Sequence, residues 1–185
     1  MGIALAECAN EMGASVNLVL GPATAKPQSK DIKVTNVTSA DSMAEACLAL
    51  FLDCDIALLA AAVADFTPVA VSDNKIKKQK SDILLKLKPT TDIAAELGKM
   101  KKQNQIIVGF ALETNDELEN AKKKLLRKNM DFIILNSLND EGAGFGYDTN
   151  KITIIDRNNI IDKFELKSKD EVAKDILNKI IFTTC

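Results

Sequence analysis

Apolar positions along this chain alternate between a helical and a strand period, and the switches divide it into elements. Ile3, Leu5, Cys8, Ala9 and Met12 fall on one helical face, which predicts a helix over 1–12 stopped by Gly13. Residues 16–20 read as a strand ending at the Gly21-Pro22 break, and 32–37 as a second strand. A helix follows over 40–53, with Ser39 or Asp41 as cap and Met43, Ala46, Cys47 and Leu50 facing inward. The continuous apolar run 56–62 suits a strand buried on both faces.

Residues 66–81 contain Pro68 and many polar residues and lysines, so they read as a long loop or flap. A strand is expected over 83–88, then helix 92–101, strand 106–111, helix 116–129 and strand 132–135. Residues 151–156 and 160–166 flank Arg157-Asn158-Asn159 as a β-hairpin, and 169–181 close as an amphipathic helix. This order predicts an α/β fold over 1–185: a Rossmann-like, doubly wound, mostly parallel sheet with a C-terminal β-hairpin and a final helix.

Composition narrows the function. The 185 residues are 46% hydrophobic and 27% charged, which suits one domain with a real core. A net charge of -2 argues against general nucleic-acid binding, whereas local lysine clusters suit a small anionic ligand. No apolar run is long enough to cross a bilayer and no signal-peptide pattern opens the chain, so a cytoplasmic location is expected. The chain has no histidine, which excludes histidine triads and histidine bases. Cys8, Cys47, Cys54 and Cys185 form no CxxC pair, so no metal site is read from them. Cys8 and Cys47 lie in apolar helical patterns and are expected to be buried, inert thiols.

Candidate chemistry converges on Ala60-Ala61-Ala62-Val63-Ala64-Asp65-Phe66, followed by Lys75-Ile76-Lys77-Lys78. Alanines at a strand exit leave the backbone bare for a flat ligand, Asp65 offers a hydroxyl acceptor, and the lysines offer phosphate partners. That is the layout of a nucleotide site at the carboxyl end of a parallel sheet. Gly109-Phe110-Ala111 ends a second core strand, where Phe110 either faces a ligand or is simply core. Lys124 and Lys128 share a helix face and reach either one polyphosphate or solvent. Thr90-Thr91-Asp92-Ile93 opens a helix whose amides suit an anion, or whose Thr91 or Asp92 is a plain cap. Tyr147 and Lys151 match the YxxxK of short-chain dehydrogenases, but glycines and a strand around them deny the helix that motif needs.

In this order the segments resemble the phosphopantothenate–cysteine ligase domain of coenzyme A biosynthesis. The resemblance rests on Ala61-Ala62-Val63-Ala64-Asp65, Lys75-Ile76-Lys77-Lys78, Gly109-Phe110-Ala111 with Glu113-Thr114-Asn115, and Lys128-Asn129 with Asp131. It implies a dimeric enzyme that uses CTP, with Mg2+, to turn the carboxylate of 4′-phosphopantothenate into an acyl-cytidylate. Cysteine then attacks and CMP leaves. A flavin-dependent phosphopantothenoylcysteine decarboxylase is the implied fused or separate partner. By the same resemblance Ala60, Ala61, Ala62, Asp65, Lys75, Thr91, Asp92, Ile93, Phe110, Lys124 and Lys128 would contact the nucleotide. Lys75 would be the catalytic residue, on a flap. CTP rather than ATP is favoured by the bacterial-looking arrangement.

Relatives carry a strand, a glycine-rich turn and an Asn-x-Ser-Ser-Gly-Lys loop just before the residues matching Met1-Gly2. Its absence predicts a chain that is poorly active alone. Two other classes stay open: a non-catalytic nucleotide-binding or dimerisation remnant, and a dinucleotide-dependent Rossmann oxidoreductase. The latter needs a glycine fingerprint, and the glycine-rich stretch 142–146 lies too late in the chain.

Overall fold

Strand side chains alternate between two faces, and here each face finds its own helices. The computed structural model describes residues 1–70, 74–78, 82–113, 116–137 and 147–184. The elements in chain order begin with α1 (Gly2–Glu11), β1 (Asn17–Leu20), β2 (Lys33–Asn36), α2 (Ala40–Phe51) and β3 (Ile56–Leu59). A short arm, β4 (Phe66–Pro68) and β5 (Leu87–Pro89), precedes α3 (Ile93–Met100), β6 (Ile106–Glu113), α4 (Glu117–Arg127) and β7 (Phe132–Ser137). The chain closes with β8 (Thr149–Asn150), β9 (Ile152–Asp156), β10 (Ile161–Lys163), β11 (Lys167–Ser168) and α5 (Lys169–Thr184).

The central sheet has the order β10-β9-β7-β6-β3. Strands β3, β6 and β7 run parallel, and β9 and β10 add an antiparallel hairpin beside β7. Val108, Phe132, Ile134, Ile152 and Ile154 turn to one face and pack with Leu5 and Cys8 of α1 and Val172 and Ile176 of α5. Ile107, Ile133, Leu135 and Ile155 turn to the other, where Phe51 of α2, Leu97 of α3 and Leu125 of α4 cover them. The expected α/β architecture, with its hairpin and last helix, is the one observed.

Capping explains the helix starts. Ser39 caps α2 through a capping box with Ser42. Asp92 caps α3 by accepting the Ala95 N–H at 3.1 Å. Cys8 is buried as expected, whereas Cys47, expected to be buried too, is only half-buried; burial pushes the Cys8, Cys47 and Cys54 thiols up, which favours the protonated form.

Three expectations need correction. The strand expected over 56–62 ends at Leu59 and is only half-buried, because among the described residues β3 pairs with β6 on one edge alone. The loop expected over 66–81 opens with strand β4, paired antiparallel with β5. The strand expected over 83–88 forms only at its far end, since Ile83, Leu84 and Leu85 are exposed and find no neighbouring strand among the described residues. Tyr147 is exposed beside β8 rather than on a helix, so the YxxxK reading fails as expected. The stretch 142–146, Thr114, Asn115 and Cys185 lie outside the described residues.

The edge of the sheet where β6 and β7 begin is fixed by Asp131. Its carboxylate accepts the Ile107 N–H at 2.8 Å and lies 2.5 and 2.6 Å from the Lys101 ammonium. Gln105, which is buried, donates to the Phe51 and Cys54 carbonyls and so fixes the exit of α2. Gly98 lets α3 press on the chain after α4: a Cβ there would sit 2.9 Å from the Lys128 carbonyl carbon and closer still to its oxygen. In an exposed helix Gly→Ala adds about 1 kcal/mol of stability. Here backbone blocks the methyl, so Gly98→Ala is expected to lower stability by about 3 kcal/mol or more. Gly109→Ala meets only the Met130 side chain, 2.8 Å to its methyl carbon, and is expected to cost less. Urea unfolding of both variants checks the order.

Candidate functional site

The loop leaving β3 is tied to the start of α3 by one residue. Thr90 donates its N–H to the Asp65 carbonyl at 2.9 Å and its hydroxyl to the Ala64 carbonyl at 2.7 Å. Pairing of Phe66 with Pro89 continues that contact into the arm. Residues 60–65 and 91–93 are thereby held side by side at the carboxyl end of the parallel strands. Ala61, Ala62 and Asp65 are exposed there, and Ala60 is half-buried. Gly2 abuts this exit: a Cβ on it would lie 3.8 Å from Ala60 Cβ, so the start of α1 meets the same edge.

Lysines from α4 reach toward this region from the side. Lys128 holds Asp92, its ammonium 2.8 Å from each carboxylate oxygen, and the Lys128 side chain is only 13% exposed. Lys124 donates to the Phe110 carbonyl at 3.1 Å. The two lysines therefore stand along one line, from the middle of β6 to the cap of α3. Phe110 itself is half-buried and packs with the α1 and α5 core, as does Ala60. Thr91 is exposed beside Asp92, and Ile93 is buried under the first turn of α3.

Lys75, Ile76, Lys77 and Lys78 are all exposed, on the arm between β4 and β5. Sequence reasoning named the candidate residues but missed the contact that joins loop 60–65 to the start of α3. Thr90 gave no signal beyond its place before a helix cap, because its function is a tertiary hydrogen bond across 26 residues. Asp131 was visible only as part of a motif, and it proves to bind backbone rather than face the site.

Asp92 is a useful reporter. Burial on its own would raise its carboxyl, but hydrogen bonds from Lys128 and the Ala95 N–H, with the Lys128 and Arg127 charges, outweigh it and hold the group below the ordinary value. A depressed carboxylate contributes stability that is present above its unfolded pKa, near 3.8, and lost as pH falls through the folded value. Half exposure screens the pair, so Asp92→Asn is expected to cost less than about 1 kcal/mol at pH 7. The gap between wild type and Asp92→Asn should close as pH falls below about 4. Urea midpoints measured from pH 7 to pH 2.5 test this.

Comparison with known proteins fits the arrangement. Residues 1–183 match the family described as DNA/pantothenate metabolism flavoprotein C-terminal domain. A protein of an unknown prokaryotic organism named cysteine/cysteine sulfinic acid decarboxylase is 64% identical over 181 residues, covering 98% of this chain and 50% of that protein. The coenzyme A biosynthesis bifunctional protein CoaBC of Bacillus subtilis is 45% identical over 180 residues, covering 97% of this chain and 44% of that protein. The chain thus spans about half the length of these curated relatives. The crystal structure of the C-terminal domain of a CoaBC protein superposes with a TM-score of 0.82 at 33% identity, covering 98% of this chain and 81% of that one. A Cab2 mutant in complex with phosphopantothenate-cysteine shares the fold at a TM-score of 0.63 and 17% identity, over 81% of this chain and 53% of that one. With a match along nearly its whole length, the chain belongs to the DNA/pantothenate metabolism flavoprotein C-terminal domain family.

Proposed function

We propose that this chain serves coenzyme A biosynthesis by binding CTP and ligating 4′-phosphopantothenate to cysteine. The observation that carries the reading is the Thr90 clamp, which sets the bare loop 60–65 against the α3 cap at the carboxyl end of the sheet. In α/β folds this edge is where nucleotides bind. The CoaBC relatives support the pathway, and the phosphopantothenate-cysteine bound by the Cab2 mutant has the structure of the product this reaction would release.

The chemistry asks for positioning and charge stabilisation rather than an acid–base pair. The pantothenate carboxylate would attack the α-phosphorus of CTP, forming the acyl-cytidylate as pyrophosphate leaves. The cysteine amine would then attack the activated carbonyl as CMP leaves. Ala60, Ala61 and Ala62 would line the nucleotide through backbone, and Asp65 would accept from its sugar or base. Phe110 would pack against it, with Thr91, Asp92 and Ile93 at the helix start. Lys124 and Lys128 would bind the triphosphate, which for Lys128 means exchanging the Asp92 carboxylate for phosphate oxygens. Lys75 would swing in on the arm and neutralise charge as pyrophosphate departs.

Magnesium is the metal this reading implies. Among the described residues no three His, Cys, Asp or Glu side chains gather as a ligand set. On this reading magnesium would arrive on the triphosphate, a usual mode for this cation, and offset phosphate charge there. The arm also offers a surface for the homodimer: Phe66, Leu84 and Leu85 are 60%, 99% and 63% exposed. Sedimentation equilibrium distinguishes that dimer from a monomer.

The 64% identical relative supplies a second reading, decarboxylation of cysteine or cysteine sulfinic acid. Pyrophosphate release from CTP and 4′-phosphopantothenate, with and without cysteine, tests the first. The assay is run on this chain and on one extended upstream by the segment preceding the matched half of the Bacillus subtilis relative. Turnover is expected in the extended protein and to fall by about 100-fold or more in Lys75→Ala. Carbon dioxide from cysteine sulfinic acid, with no pyrophosphate from either chain, would replace the ligase reading with the second.

A further inference from the structure

At the amino ends of β6 and β7 three loops enclose an open basin of about 330 Å3. They are the α3–β6 loop, the α4–β7 loop and the turn between β9 and β10. The basin is lined by Lys101, Lys102, Gln103, Asn129, Asp131 and Arg157, all polar or charged. With no aromatic or aliphatic residue in the lining, a base or an acyl chain would find no surface to rest on.

The charges around it do not balance. Lys101, Lys102 and Arg157 bring three cations and Asp131 one carboxylate, a surplus of two. Asp131 is already committed, to the Lys101 ammonium and to the Ile107 N–H. Among the described residues no carboxylate pairs with Lys102 or Arg157. Lys102 donates to the Leu52 carbonyl at 2.9 Å, at the end of α2, and Arg157 to the Asn129 side-chain carbonyl at 2.8 Å. Both partners are neutral, so they orient the two cations without cancelling them. Like charges held at one basin repel, and an anion between them removes that cost.

Each loop is fixed by its own hydrogen bonds. The Lys102 N–H donates to Gln105 Oε1 at 2.9 Å, and Gln105 is buried. Asn129, at φ 53, donates its amide to the Gly98 carbonyl while its side-chain oxygen accepts from Arg157. Asp156 closes the hairpin turn by accepting the Ile160 N–H at 2.8 Å. Arg157 is thus presented from a rigid turn, and its planar fork suits two oxygens of a single anion.

We infer that this basin is a binding site for a small phosphate-bearing anion without a base, either inorganic phosphate or the phosphate end of a phosphomonoester. A dianion matches the surplus of two charges. Arg157 would take two of its oxygens and Lys102 a third. The basin precedes β6 and β7, whereas loop 60–65 follows β3, so the two sites lie at opposite ends of the sheet. The inference does not rest on the ligase reading.

The test is a titration of the isotope-labelled chain with inorganic phosphate, in chloride concentrated enough to screen charges beyond about 8 Å. Saturable amide shifts are expected at Lys102, Gln103, Asn129 and Arg157, half-complete at about 1 mM or below. Arg157→Ala should weaken binding by about tenfold, with Arg157→Lys in between, since it keeps the charge and loses the fork. Lys102 is exposed, so Lys102→Gln leaves the fold intact and should weaken binding by a similar factor of about ten. Glycerol 3-phosphate identifies the source: tighter binding than inorganic phosphate marks a phosphomonoester, weaker binding the free ion. Shifts that never saturate and spread equally to Lys75, Lys122 and Lys123 mark an adventitious ion only and overturn the inference. So does unchanged affinity in both Arg157→Ala and Lys102→Gln. A basin that answers to a glutamate-rich peptide and not to phosphate would make it a protein-docking surface instead.

Discussion

The close approach of α3 to the end of α4 is the contact on which the candidate site depends. It needs Gly98, because any side chain there runs into the Lys128 backbone. The chain answers with Asn129 in the left-handed region, φ 53, whose amide donates to the Gly98 carbonyl at 2.7 Å. One residue earlier, Lys128 reaches the Asp92 cap; one later, Met130 fills the space above Gly109; and Asp131 then stitches β7 to β6. Four consecutive residues thus convert one helix ending into the position of α3. Because Thr90 sits just ahead of that helix, the loop 60–65 inherits the same position.

Burial divides the lysines into two sets. Lys101 and Lys128 are nearly covered and each is matched to one carboxylate, as a buried ammonium requires. Such pairs contribute geometry more than net stability. Lys75, Lys77 and Lys78 are exposed and sit on an arm held to the body through β4, β5 and Thr90. The ligase reading proposed above would use both: a fixed pair whose carboxylate could be exchanged for phosphate, and an exposed cluster on the arm.

Much of this was legible in the sequence. Strong periodicity placed α1, α2, α3, α4 and α5, and the Ser39 cap was readable because capping is local. Strand edges were less so. The run 56–62 looked like an interior strand on composition, but β3 is the edge of the five-stranded sheet and its pairing with β6 runs only to Leu59. The candidate residues Ala61, Asp65, Asp92, Lys124 and Lys128 stood out by chemistry and spacing. Thr90 and Gln105 did not, because each acts through hydrogen bonds to backbone more than 20 residues away, which no local pattern encodes. The arm was misread for a related reason: Phe66–Pro68 and Leu87–Pro89 form strands only because they find each other.

The most direct test of the central claim is a titration of the isotope-labelled chain with CTP, followed by backbone amide chemical shifts. Changes confined to 60–65, 91–93 and the β6 end near Phe110, with Lys124→Ala and Lys128→Ala weakening binding by about tenfold each, are the predicted result. Saturable CTP shifts centred instead on the opposite edge, around Lys101, Asn129 and Arg157, or none at millimolar CTP in a folded chain, would contradict a nucleotide site at the carboxyl end of this sheet.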